Sequence, residues 1–121
     1  MTLLPGRLAV CRLGSASPLP SWAMEAPFFS VTRTEEELSV VCPEGCVPPG
    51  IQHEPGWRAL KLEGPFPFSA VGVLAAVVGP LAKARVSVLA IATYDTDYIL
   101  VRETQLEEAL SARKGRGHGV A

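Results

Sequence analysis

Apolar residues come in short runs cut by turn formers up to Cys42, and in longer runs after Trp57. "RLAVCRLG", Arg7 to Gly14, is compatible with a strand and stops at Gly, and "SASPLPSWAME" then leaves room for a turn and a short helix. In "FFSVTRTEEELSVVCPE" two β-branched runs, Phe28 to Thr32 and Leu38 to Cys42, flank charged residues, the pattern of a hairpin. Pro43 to Gly56 is rich in Pro and Gly and is expected to be an irregular connector.

"WRALKLEG" alternates with the strand period and ends at Gly64. Beyond "PFPF", Val71, Leu74, Val78 and Leu81 recur at helical spacing over Phe68 to Ala84. Ser69 is placed to cap the first turn, and Pro80 to bend the helix near Gly79. "VSVLAIA" and "YILVR" predict a second hairpin around Thr93 to Asp97. "TQLEEAL" begins a last helix, with Thr104 and Glu107 spaced as a capping box. The end, "RKGRGHGVA", has no apolar periodicity and reads as a mobile tail.

The two halves repeat one pattern: strand, Gly, Pro-containing turn, helix, then a hairpin with an acidic corner. "VTRTEEELSVV" lies on "IATYDTDYILV" without a gap, which sets Glu35 on Asp95 and Glu37 on Asp97. The first half is shorter between its Gly and its hairpin, so its helix is truncated. Strand, helix, strand, strand and helix is the ferredoxin-like order. The expectation is an α+β chain of tandem ferredoxin-like units with antiparallel sheets covered by helices. Residues 1–47 form the abbreviated unit, 48–56 a linker, 57–112 the full unit and 113–121 the tail.

A chain of 121 residues, 48% hydrophobic and 19% charged, is large enough to bury a core. A net charge of -1 offers no cationic surface for nucleic acid or acidic membranes, so neither is an expected partner. No apolar run reaches the length of a membrane span, and the start lacks the features of an export signal; a cytoplasmic protein is expected. Trp22 and Trp57 read as anchors of a core or a subunit interface.

Candidate chemistry is sparse. Asp95 and Asp97 form a D-x-D pattern that occurs in magnesium and calcium sites, but no further carboxylate cluster completes an oxygen shell. Asp and Thr also favour hairpin corners, because their side chains bond local amides. Cys42, Cys46 and His53, with Cys11, offer an incomplete set for zinc; the alternative is that Cys42 is a small hydrophobe in a strand. No nucleophile elbow or phosphate-binding Gly pattern is present, so no catalytic residue and no cofactor is expected.

"GWRALKLEGPFPFSAVGVLAAVVGPLAKARVSVLAIATYDTDYILVRE" resembles the ACT-domain proteins akin to the CASTOR arginine sensors, in particular their small stand-alone bacterial relatives. The resemblance implies two ACT-like units, a regulatory rather than catalytic role, and binding of an amino acid or similar small molecule, commonly in a homodimer. It also implies that the first strand-to-helix loop, with Gly64, Phe66, Phe68, Ser69 and Ala70, faces the hairpin residues Thr93, Tyr94, Asp95, Thr96 and Asp97 across a ligand cleft. Free amides at a helix start attract a carboxylate, and an aspartate accepts charge-assisted bonds from an ammonium or guanidinium group. Two alternatives stay open: a protein-interaction module without a ligand, and a small zinc-binding protein. The family has Gly after the long helix where this chain has Arg85, which costs roughly 1 kcal/mol in a left-handed cap.

Overall fold

The computed structural model describes residues 2–62 and 79–114, which divide into two compact units. Residues 6–57 form one; residues 1–5 join 58–121 in the other. The strands are β1 (Thr2–Leu3), β2 (Leu8–Leu13), β3 (Ser30–Arg33), β4 (Leu38–Pro43), β5 (Gln52–Lys61), β6 (Val88–Ala92) and β7 (Asp97–Arg102). Helix occurs at Ser21–Met24, over residues 79–83 and at Leu106–Lys114, with single 3-10 turns at Glu44–Cys46 and Glu103–Gln105. Among these residues no helix is long and apolar enough to cross a membrane.

Within the N-terminal unit the strands lie in the order β3-β4-β2-β5, with antiparallel ladders β3–β4, β4–β2 and β2–β5. That is the ferredoxin-like arrangement, with the crossover helix cut to Ser21–Met24 as the short spacing predicts. Ala9, Cys11, Leu38, Val40 and Cys42 point to the helix side and are buried around Ala23, while Trp22 packs half-buried against them. Alternation along β2 and β4 produces this face.

In the C-terminal unit β5, β7 and β6 follow one another, and β1 pairs with β5 through Thr2↔Lys61 and Leu3↔Leu60. The place of a fourth strand is therefore filled by the first residues of the chain. This corrects the expectation that residues 1–47 make one unit. Leu60, Leu62, Ile99 and Val101 bury under Leu81, Val86 and Ala109. Trp57, the last residue of the N-terminal unit, is buried, 4% exposed.

The expected linker is likewise corrected. Strand β5 starts at Gln52, its first residues pair with β2 and its last with β1. Pro55 and Gly56 are absorbed by a bulge: Leu8 faces Trp57 and Val10 faces Glu54, so two residues oppose Ala9. Gly56 has φ +83° there, and its N–H donates to Glu44 Oε2 at 3.0 Å while Arg7 Nε lies 2.9 Å from Oε1. A strand-breaking composition thus fits a strand because the bulge needs no ladder donor from Pro55.

Helical residues 79–83 end in a Schellman motif: Val86 N–H donates to Leu81 C=O and Arg85 N–H to Ala82 C=O, both at 3.0 Å. Leu81 and Val86 supply its apolar contact, and Arg85 takes the left-handed position at φ +60°. The bend expected at Gly79 and the capping role of Ser69 depend on residues outside those described. Thr104 is not an N-cap; it lies inside the 3-10 turn that precedes Leu106. Gln105 instead serves the Schellman loop, its Oε1 accepting from Ser87 N–H at 3.2 Å. The helix also runs to Lys114, into the expected tail.

Candidate functional site

The acidic corner of the second hairpin is built by two threonines. Thr93 N–H and Oγ1 each donate to Thr96 C=O at 2.8 Å, and Thr96 N–H donates back to Thr93 Oγ1 at 3.2 Å. This closes a four-residue turn between Ala92 and Asp97, which face each other at the end of the β6–β7 ladder. Tyr94 and Asp95 stand at its tip, Tyr94 80% exposed. Thr96 is turned inward, 6% exposed, and its hydroxyl donates to Leu62 C=O at 2.6 Å. Leu62 N–H donates to Asp97 C=O at 3.0 Å.

These bonds fix the corner to the last described residue before 63–78, the segment that contains the loop expected to face it. Asp97 is half-buried and lies on the same side of β7 as Ile99 and Val101, because side chains alternate along a strand. That side carries Leu81 and Ala109. The Asp97 carboxylate therefore occupies the outermost position of the helix-covered face. Of the ten expected site residues, Thr93, Tyr94, Asp95, Thr96 and Asp97 share this corner, whereas Gly64, Phe66, Phe68, Ser69 and Ala70 fall outside the described residues.

The N-terminal hairpin has the same construction. Thr34 N–H donates to Glu37 C=O at 2.9 Å, and Thr34 Oγ1 accepts from Glu36 and Glu37 N–H. Arg33 faces Leu38 where Ala92 faces Asp97. The gapless sequence alignment is therefore off by one: Glu36 corresponds to Asp95, and the counterpart of Asp97 is Leu38, not Glu37. A slip of one residue sends every side chain to the opposite face, so register decides which carboxylates are comparable. The repeated Thr that opens each corner is the signal that reveals the true register. Leu62 was missed as part of the site because its contribution is made by backbone atoms.

The cysteines are hydrophobes. Cys11 and Cys42 are 1% and 0% exposed, and all three thiols are free. Burial, together with the neighbouring Cys11 and Cys46, pushes the Cys42 thiol up to about 12. Burial also raises Cys11. Among the described residues no three His, Cys, Asp or Glu side chains converge as a metal site, and His53 Nδ1 lies 2.7 Å from Ile51 O.

Comparison with known proteins places this corner in a family. A family model described as an ACT domain matches residues 52–112, half of the chain, and a second, for an N-terminal domain, matches residues 6–50. The chain is 39% identical over 90 residues, 65% of its length, to the Bos taurus cytosolic arginine sensor for mTORC1 subunit 1. It is 33% identical over 66 residues, 54% of its length, to the human protein of that name. It spans 27% and 20% of the length of these curated relatives.

A crystal structure from Agobacterium tumefaciens superposes with a TM-score of 0.94 at 33% identity, over 99% of this chain and 90% of that one. Aspartate kinase from Clostridium acetobutylicum gives 0.68 at 13% identity, over 93% of this chain and 33% of that chain, a likeness of fold. The family match covers β5, β6, β7 and the final helix, the elements that carry the Thr93–Asp97 corner, and the chain belongs to the ACT domain family.

Proposed function

We propose that the chain is a non-catalytic regulatory protein that binds an amino acid at the Thr93–Asp97 corner. Asp97 accepts the ligand's ammonium or guanidinium group, and the loop and helix start at Gly64, Phe66, Phe68, Ser69 and Ala70 take its carboxylate. The observation that carries this reading is the exchange of one residue between the two hairpins. At the start of β4 the helix-covered face closes with Leu38, fully buried, while the first position of β7 carries the half-buried carboxylate of Asp97. A charge at the margin of a core is costly unless it is solvated or paired, and a cationic ligand group supplies the pair.

That the similar Bos taurus protein is a cytosolic arginine sensor supports a ligand with a cationic group. The reading includes a cytoplasmic location and a homodimer. Among the described residues strand β6 is an edge of its unit, with Leu89, Ala90 and Ala92 exposed, an edge that strand pairing with a second copy would cover. A protein-interaction module without a ligand is the second reading; it has in its favour the exposed Leu19, Met24 and Phe29 beside the short helix Ser21–Met24.

The test is a thermal-shift screen against the standard amino acids, followed by calorimetry. A ligand that binds only the folded state raises the melting temperature by mass action. A rise for at least one amino acid is expected; no shift across the panel would overturn the ligand reading.

A further inference from the structure

We propose that the N-terminal unit is a self-occupied copy of the ligand site, in which the guanidinium of Arg33 takes the place of a ligand cation. The chain then holds one exchangeable ligand, in its C-terminal unit. This rests on the proposed function only for the word ligand. The occupation itself is geometric.

Arg33, the last residue of β3, faces Leu38 across the ladder and so lies on the helix-covered side. Its guanidinium crosses to the turn that follows β2, a turn closed by Ser17 N–H donating to Gly14 C=O at 3.0 Å. Nη2 donates to Ser17 C=O at 2.7 Å and Nη1 to Ser15 C=O. From the other side Arg12 Nη2 donates to Glu36 C=O at 3.2 Å. The strand-to-helix turn and the hairpin corner, the two walls expected to flank a ligand, are thus stitched together by the chain's own cations.

Among the described residues, the C-terminal hairpin carries no cation at the matching position. The residue that faces Asp97 as Arg33 faces Leu38 is Ala92, whose methyl group cannot reach across. The two exchanges are complementary. Where the N-terminal hairpin pairs the Arg33 guanidinium with an uncharged Leu38, the C-terminal hairpin pairs an uncharged Ala92 with the carboxylate of Asp97. A guanidinium offers donors in a rigid planar fork, from which the carbonyls of Ser15 and Ser17 accept without any carboxylate. Arg33 is solvent-exposed, so its removal leaves those carbonyls open to an external cation of the same shape.

The full-length protein, labelled with nitrogen-15, is titrated with methylguanidinium chloride, and amide shifts are followed. In Arg33→Ala, amides of residues 14–17 and 34–37 shift saturably, with a dissociation constant on the order of millimolar. In the wild type the same amides respond at least about tenfold more weakly. Arg33→Lys, which keeps the charge but not the planar fork, responds more weakly than Arg33→Ala and more strongly than the wild type. If Arg33→Ala does not fold, Arg33→Met retains the apolar stem and takes its place. Saturation at those amides in the wild type, or none in the folded variant, overturns the proposal. The readout is confined to the N-terminal unit, so it stands or falls independently of whether an amino acid binds at Asp97.

Discussion

The buried hydroxyl of Thr96 donates to the carbonyl of Leu62 at 2.6 Å, and this one bond joins the hairpin corner to the strand end from which the expected ligand loop departs. Thr96→Val removes the donor and leaves a buried carbonyl unsatisfied, a cost of about 1–3 kcal/mol. Urea denaturation is expected to show that loss. Thr96→Ser keeps the hydroxyl and is expected to retain most of the stability.

Asp97 and Asp95 separate by exposure. Asp97 lies half-buried on the helix-covered face and Asp95 at the solvated tip. For the amino acid that shifts the melting temperature most, Asp97→Asn is expected to weaken binding roughly 10- to 100-fold, the weight of one charge-assisted bond. Asp95→Asn is expected to change it by less than about threefold. Calorimetry on both variants checks this; equal losses would remove Asp97 from its assigned role.

Arg85 holds φ +60° at the end of helical residues 79–83. A side chain in the left-handed region costs roughly 1 kcal/mol, which Gly avoids at the expense of a more flexible unfolded chain. Arg85→Gly is therefore expected to raise the thermal midpoint modestly, and Arg85→Ala, which keeps a Cβ, to give no such gain.

Gly56 makes the converse case. Space for a Cβ is open there, with nothing within 4 Å, so Gly56→Ala carries only the backbone cost of φ +83°. That cost is about 1–2 kcal/mol. Chemical denaturation is expected to register it, together with weaker hydrogen-exchange protection of the β2–β5 ladder.

The thiols give a pH dependence. Burial raises Cys42 from 9.0 to about 12, so the folded protein keeps the proton that the unfolded chain releases. The stability tied to that proton is complete below pH 9 and declines as pH rises toward 12. Denaturation midpoints are expected to fall over that interval, and less steeply in Cys42→Val. At neutral pH a thiol reagent is expected to modify the half-buried Cys46 in the folded protein and to reach Cys11 and Cys42 only after unfolding.

Local pattern alone located both hairpins, the short first helix and the helix end at Ala84. Alternation marks β2, β4 and β7, and helical spacing puts Leu81 in the core, because burying one face of an element imposes its own period on the sequence. The left-handed turn was also legible, from the family's Gly and this chain's Arg85. The corner threonines and aspartates could be named as a group, since turn chemistry is local.

What pattern could not decide is pairing between distant segments. That Thr2–Leu3 fills the fourth-strand place of the C-terminal unit, and that Pro55 and Gly56 sit in a bulge inside β5, follow from ladders formed across some fifty residues of chain. The repeat slipped by one because sequence similarity weighs residue types, whereas the fold aligns hydrogen bonds and faces. Only that register brings Leu38 opposite Arg33 and Asp97 opposite Ala92. With it one corner closes on the chain's own cation and the other presents a carboxylate.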